Sequence, residues 1–417
     1  MSKFIINGGK KLVGEVNISG AKNATLGIIA AAIMTDEDVI LDNIPDVEDV
    51  NIMLSAIEEM GGEVKRITRN KVHIFAKNAN ATMANAKNLS RIRASYYFVG
   101  ALLSKKKQAV VRMPGGCSIG ERPIDLHLKG FKSLGAECEV KDGFIIAKAD
   151  KLTSDNIYID IVSVGATINL ILASVMAEGT TVLENVAKEP HVVDVANFLN
   201  SMGANVKGAG TDTIRIKGVP YLHGTTYTII PDQIEAGTYM TIACATEGDI
   251  IIKNIIPKHL DSISAKLIDM GNNVVEYDEA IRVIGCERQF PTTIKTLPYP
   301  GFPTDMQPQI TVLLSIANGE SNVTESIFED RFKYIVDLKK MGAQIEQRST
   351  SLNIKGIEHL KPASLMSPDL RAGAALVIAA LMTKGESTVD RIEYIKRGYE
   401  NIFGKLKELG ADIREEN

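Results

Sequence analysis

One short signal recurs six times along the chain: EEMGGEV, KSLGAEC, NSMGANV, IDMGNNV, KKMGAQI and KELGADI. Each reads as a helix end, then Met or Leu, then glycine, then a strand. The Met and Leu positions are Met60, Leu134, Met202, Met270, Met341 and Leu409, spaced by 74, 68, 68, 71 and 68 residues. Glycine there suits the left-handed position that closes a helix. Upstream of each signal lies an apolar helix rich in small residues, a polar turn and a β-rich run. These helices begin near SGAKNATLGIIAAAIM, IRASYYFVGALL, SVGATINLILASVM, IEAGTYMTIACA, TDMQPQITVLLSIA and DLRAGAALVIAALM. A period of about 70 exceeds the ~20–50 residues of most solenoids. The 417 residues also exceed one ordinary core, so two groups of three repeats fit better than a linear array. Helices that are apolar all round are buried on every side, which leaves the strands to form outer sheets.

The bulk numbers exclude several classes. Hydrophobic content of 45% and charged content of 24% describe a globular chain, and a net charge of −4 gives no general attraction to nucleic acid or acidic membranes. The longest apolar runs, residues 26–34 and 374–382, are too short to span a bilayer. The N-terminus has no signal-peptide core, so a cytoplasmic location is expected. The four cysteines fit neither a zinc motif nor a disulfide framework. Cys244 reads as a small buried residue and Cys138 as part of a strand. There is no P-loop, no HExxH and no metal-ligand spacing. No metal, cofactor or obligate protein partner is implied.

The starts of the apolar helices break a local rule. Lys22 and Asn23 open the first, Arg93 the second and Arg371 the last, while Asp305 opens the fifth. A helix N-terminus favours anions, so cations placed there cost stability unless they serve a ligand. The third helix opens with Ser163, Val164 and Gly165, small residues that expose backbone N–H groups. Further cations, Arg331 and Arg397, follow the strands of the fifth and sixth repeats. Cys117 and Arg122 take the matching place in the second. Asp305 can also be read as an ordinary helix cap, and His127 as a structural partner more readily than as an acid.

The segments ISGAKNA, PGGCSIGERPIDLHLKGF, SVGAT, EPHVVDVANFL, GFPTDMQPQ, FEDRF, DLRAG and KRGYE together resemble the UDP-N-acetylglucosamine 1-carboxyvinyltransferases. These are the enolpyruvyl transferases that open bacterial peptidoglycan synthesis, and so serve cell shape and division. The resemblance runs from about residue 4 to the C-terminus. It implies an α/β (α+β) fold: a two-domain inside-out α/β barrel of six βαβαββ repeats, three per domain, around buried helices. Mapped here, one domain is residues 22–229 and the other 1–21 plus 230–417, with the active site in the cleft between them. Departures from the family pattern are His191 for a common Glu, Ile168 for acidic residues, Phe302 for Tyr and Gly27 for Pro.

The family reaction moves enolpyruvyl from phosphoenolpyruvate to the 3′-hydroxyl of UDP-N-acetylglucosamine and releases phosphate. By resemblance, Lys22, Arg122 and Arg397 hold the substrate phosphate, and Arg331 and Arg371 lie by its carboxylate. Asn23 and Arg93 join the site. Arg122, Pro123, Ile124, Asp125 and Leu126 hold the uridine, Ser163, Val164 and Gly165 the diphosphate, and Ile327 the sugar. Cys117 is the candidate acid and Asp305 the candidate base. A thiol lowered by neighbouring cations gives and takes protons near neutral pH, and can also attack carbon. Gly115 and Gly116 are expected to let the Cys117 loop close over the nucleotide sugar. The epoxide antibiotic fosfomycin, a phosphoenolpyruvate mimic for the family, is expected to alkylate Cys117. The rivals are the shikimate-pathway enolpyruvyl transferase and a silent nucleotide-sugar-binding regulator.

Overall fold

The computed structural model describes residues 2–80, 82–83, 89–113 and 124–416. They form two compact units: residues 2–19 with 231–416, and residues 20–113 with 124–230. No helix of the described residues is long and apolar enough to cross a membrane.

The recurring glycine does what its position demands. Gly61, Gly135, Gly203, Gly271, Gly342 and Gly410 all lie at φ between 90 and 96°. In each case the next residue's N–H reaches back to a carbonyl five positions earlier. The six bonds are Gly62 to Ile57, Ala136 to Phe131, Ala204 to Leu199, Asn272 to Leu267, Ala343 to Leu338 and Ala411 to Leu406, all 2.9–3.1 Å. This is one helix-closing turn built six times. The Met or Leu before each glycine is at most 2% exposed, which pins the helix end to the core.

Six four-stranded sheets among the described residues share one topology. Asn156–Tyr158 runs parallel to Thr180–Glu184, Thr213–Lys217 lies antiparallel beside it, and Asn205–Lys207 forms the far edge. A parallel pair needs a long crossover, and here the crossover is the buried helix Val164–Ser174. The same order holds in the other five sheets. Two of those in the first unit are completed by the N-terminal strands. Lys3–Gly8 sits between Gly385–Asp390 and Ile413–Glu416, and Val13–Asn17 runs parallel to Asp249–Lys253. In the other unit, Thr225–Thr228 returns to lie parallel to Val39–Asp42.

The apolar helices are interior elements. Every residue of Lys22–Ala32 is buried except Asn23, and every residue of Gln233–Ala245 except Gln233. The strands alternate instead: in Thr213–Lys217, Ile214 and Ile216 are buried while Arg215 and Lys217 face water. Close helix approach needs small residues at particular points. A Cβ on Gly27 would stand 2.7 Å from Val195 Cγ2.

Two expected helix starts are turns of another kind. Arg93 opens the 3-10 turn Arg93–Tyr96 ahead of Tyr97–Lys106, and Asp305 lies in the 3-10 turn Thr304–Met306 ahead of Gln307–Leu314. The second case follows from Pro308, which has no N–H for the Thr304 carbonyl. Gln307 N–H donates to that carbonyl instead, closing the tighter turn.

Candidate functional site

In the first unit, three of the singled-out residues meet directly. Arg331 Nη2 donates to Asp305 Oδ1 at 2.7 Å, and Arg371 Nε donates to Asp305 Oδ2 at 3.1 Å. The two arginine side chains are 3% and 4% accessible, while the Asp305 side chain keeps 28%. Arg371 sits in the first turn of Leu370–Met382, where a cation opposes the helix dipole. Asp369 compensates: its Oδ1 accepts from the N–H groups of Arg371 and Ala372, both at 3.0 Å. Asp305 does not cap its helix, since the cap position falls on Met306 and no side chain serves it.

The guanidiniums also pack on aromatic faces. Arg331 lies 5.5 Å from the Phe328 ring centroid and Arg371 5.2 Å from that of Tyr399. Burial works against the Arg371 charge, but Tyr399, Asp305 and Asp232 outweigh it and hold the group protonated. Arg331 Nε and Nη1 and Arg371 Nη1 are buried without a hydrogen-bond partner. Unmet buried donors on a charged group are costly. Their place beside an accessible carboxylate fits donors kept for an incoming anion.

In the second unit, Lys22 is the first residue of its helix and only 8% exposed. Its Nζ lies 3.4 Å from Oδ2 of Asp49, a 6% exposed residue in the first turn of Glu48–Glu59. That carboxylate offsets both the burial and the dipole penalty. Asn23, next in the helix, is half-buried.

A second cluster in this unit joins Arg93, Tyr96, His127, Gly165 and Asn169. The Arg93 guanidinium is 5.9 Å from the Tyr96 ring centroid, and the Tyr96 and His127 rings are 4.6 Å apart. Asn169 Nδ2 donates to the Tyr96 carbonyl at 2.8 Å and to His127 Nδ1 at 3.0 Å, while its Oδ1 accepts from Gly100 N–H at 2.9 Å. Burial, with help from Arg93, pushes the His127 pKa down to about 3. The ring is therefore neutral, and because Nδ1 accepts from Asn169 its proton sits on Nε2. A Cβ on Gly165 would stand 2.4 Å from the Tyr96 hydroxyl. Ser163 caps Val164–Ser174 by accepting from Ala166 N–H at 3.3 Å. The first-turn N–H groups of Val164 and Gly165 have no acceptor within the helix.

Ile124 is buried at the cap of Asp125–Ser133, with Asp125 exposed and Leu126 half-buried in its first turn. Ile327 is half-buried, and its N–H donates to Glu325 at 2.8 Å. Arg397 is half-buried at the C-terminal end of Glu393–Lys396. Cys117, Arg122 and Pro123 lie outside the described residues. Burial pushes the Cys138 thiol up to about 11 and the Cys244 thiol well above its ordinary value.

Among the acidic residues of these clusters, Asp49, Asp369 and Glu325 were not singled out by the sequence, nor were Tyr96, Asn169, Phe328 and Tyr399. Asp369, just ahead of LRAG, is a cap signal legible in the sequence. Asp49 is one of several acidic residues in its stretch, and only folding selects it.

Comparison with known proteins places the chain among related sequences along its whole length. The family model described as EPSP synthase (3-phosphoshikimate 1-carboxyvinyltransferase) matches residues 6–406. A Clostridium acetobutylicum protein named UDP-N-acetylglucosamine 1-carboxyvinyltransferase 2 is 55% identical over 100% of both chains. A Caldanaerobacter subterraneus protein named UDP-N-acetylglucosamine 1-carboxyvinyltransferase 3 is 54% identical over 99% of both. Among solved structures, the enolpyruvyl transferase NikO from Streptomyces tendae aligns with a TM-score of 0.89 at 25% identity, covering 99% of this chain and 98% of that one. An EPSP synthase from Acinetobacter baumannii shares the fold, with a TM-score of 0.75 at 20% identity over 100% of both chains.

Proposed function

The chain belongs to the EPSP synthase family of carboxyvinyl transferases, and from that premise we propose that it transfers the enolpyruvyl group of phosphoenolpyruvate to the 3′-hydroxyl of UDP-N-acetylglucosamine, releasing phosphate. The observation that carries this reading is the Asp305 carboxylate held between Arg331 and Arg371, with Arg331 Nε and Nη1 and Arg371 Nη1 buried and without a hydrogen-bond partner. A carboxylate-bearing polyanion satisfies those donors, and guanidinium matches carboxylate and phosphate in paired geometry.

The addition needs two proton movements. Cys117 delivers a proton to the methylene carbon of phosphoenolpyruvate. Asp305 takes the proton of the sugar hydroxyl as its oxygen bonds to the central carbon. The tetrahedral adduct then returns a methyl proton to the Cys117 thiolate as the carbon–phosphate oxygen bond breaks. This restores the double bond on the sugar ether and frees inorganic phosphate. Arg331 and Arg371 bind the carboxylate, while Lys22, Arg122 and Arg397 bind the phosphate. Asn23 and Arg93 assist. The nucleotide rests on Arg122, Pro123, Ile124, Asp125 and Leu126, its diphosphate on the helix mouth of Ser163, Val164 and Gly165, and its sugar against Ile327. The product feeds peptidoglycan synthesis, the reaction takes place in the cytoplasm, and fosfomycin alkylates Cys117.

The family model carries the name of the shikimate-pathway enzyme, while the relatives at 54–55% identity are named for the UDP-sugar. The test is phosphate release from phosphoenolpyruvate with either acceptor. Release with UDP-N-acetylglucosamine and none with shikimate 3-phosphate is expected. The reverse result, or release with neither, overturns the proposal.

A further inference from the structure

In five repeats the described residues share one junction where the second strand of the sheet ends: the residue after the parallel first strand donates its N–H to the last carbonyl of the second. In three of them the residue after that strand is an asparagine in the left-handed conformation: Asn43, Asn185 and Asn254, at φ 56, 58 and 56°. Each donates from Nδ2 to the carbonyl that follows the parallel first strand. These bonds are Asn43 to Ile229 at 2.8 Å, Asn185 to Ile159 at 2.7 Å and Asn254 to Ile18 at 2.7 Å. The device ties two strand ends together.

The fifth repeat replaces it. Here the residue after Glu320–Thr324 is Glu325, and the residue after Thr293–Lys295 is Thr296. The backbone bond between the strand ends is kept, from Thr296 N–H to the Thr324 carbonyl at 3.0 Å. The side-chain chemistry differs. Glu325 is 2% exposed, and its carboxylate accepts four hydrogen bonds. Oε1 takes the Thr296 hydroxyl at 2.8 Å, Ile327 N–H at 2.8 Å and Phe328 N–H at 3.2 Å. Oε2 takes the Thr304 hydroxyl at 2.9 Å. Thr304 adjoins Asp305. Ile327 and Phe328 lead to Arg331, and the Phe328 ring faces the Arg331 guanidinium. One buried carboxylate thus links the turn that bears Asp305 to the segment that bears Arg331.

We propose that Glu325 is a positioning residue: it fixes the Thr304–Asp305 turn against the 327–331 segment, and so sets where the Asp305 carboxylate stands. In no other described repeat is the residue after the second strand a carboxylate. Asn43, Asn185 and Asn254 hold three of the places, and Met113 and Arg391 the remaining two. The departure occurs in the repeat that carries Asp305. Reactive groups must be held within about half an ångström, and a misplacement of about 1 Å costs ~100-fold in rate.

This inference rests on the proposed transferase activity, and its test separates the two. Steady-state phosphate release is measured on the full chain as wild type, Glu325→Ala, Glu325→Gln, Thr304→Val and Thr304→Ser. Glu325→Ala is expected to lower kcat by ~30–100-fold while KM for phosphoenolpyruvate stays within ~3-fold. Glu325→Gln keeps a carbonyl oxygen for the backbone N–H groups and an amide for the Thr304 hydroxyl, and returns kcat to within ~5-fold. Thr304→Val, which removes one donor at constant shape, lowers kcat by ~10-fold, and Thr304→Ser restores it. If Glu325→Ala does not fold, the Thr304 pair decides alone. A folded Glu325→Ala or Thr304→Val with wild-type kcat overturns the positioning role, as does a Thr304→Ser no better than Thr304→Val. A wild type that releases no phosphate with UDP-N-acetylglucosamine removes the functional reading, and this inference with it.

Discussion

Replacing Asp305 with alanine separates its structural charge from its chemistry. The carboxylate is the hydrogen-bond partner of two guanidiniums whose side chains are 3% and 4% accessible. Arginine cannot shed its proton, so truncation leaves two buried guanidiniums without the carboxylate they share. Breaking a buried ion pair by removing one partner costs about 3–5 kcal/mol. Asp305 itself keeps 28% accessibility, so water can enter the gap and the loss falls at the lower end, about 3 kcal/mol. Asp305→Asn retains an oxygen for one guanidinium and is expected to lose about half as much. Denaturant unfolding monitored by circular dichroism measures both. Added inorganic phosphate fills the vacated place, so it should stabilise Asp305→Ala more than wild type. Both variants should lose ~10²–10⁴-fold in kcat, since neither side chain accepts a proton near neutral pH. Asp305→Ala within ~1 kcal/mol of wild type, unresponsive to phosphate, would refute the picture of a carboxylate that neutralises a pair of anion-seeking arginines.

Cys117→Asp should retain turnover because a carboxyl can carry a proton, while Cys117→Ser should lose most of it; equal rates would argue against an acid role, and the pair is compared by phosphate release. Fosfomycin treatment should add one adduct to the peptide containing Cys117, and mass spectrometry checks it. Gly165→Ala drives a methyl group to 2.4 Å from the Tyr96 hydroxyl, so calorimetry should show UDP-N-acetylglucosamine binding weakened by ~10-fold or more, with the fold retained. Asp194 is 2% exposed, and burial raises its pKa from 3.8 to about 6, against hydrogen bonds from Tyr227 and Ile230 N–H. A folded state that binds this proton more tightly loses stability as pH rises, so Asp194 costs about 3 kcal/mol above pH ~6 and nothing below ~4. Asp194→Asn should therefore match wild type near pH 4 and exceed it at pH 7; an offset independent of pH would sink that reasoning.

Much of the fold was legible because its determinants are local. The glycines at 61, 135, 203, 271, 342 and 410 mark six identical helix ends, since a left-handed residue after a helix is a backbone demand that sequence cannot hide. Helices without a polar face have to be interior. The pairing of Lys3–Gly8 and Val13–Asn17 with strands more than 200 residues away was not legible. A strand's sequence states which face is buried but not which edge it joins. Likewise, LRAG and TDMQ mark Arg371 and Asp305 as unusual, but not the bond between them.

The amino-acid sequence by itself determined the repeat, the buried helices, and the kinds of groups gathered at helix mouths, because propensity and periodicity act within a few residues. Only the tertiary structure decided which charges became partners. It set Asp305 between Arg331 and Arg371, turned Lys22 toward Asp49, and kept His127 neutral against Asn169. Those outcomes depend on distances of 3 Å between residues far apart in the chain and on how much water remains around them. Neither quantity exists until the chain has folded.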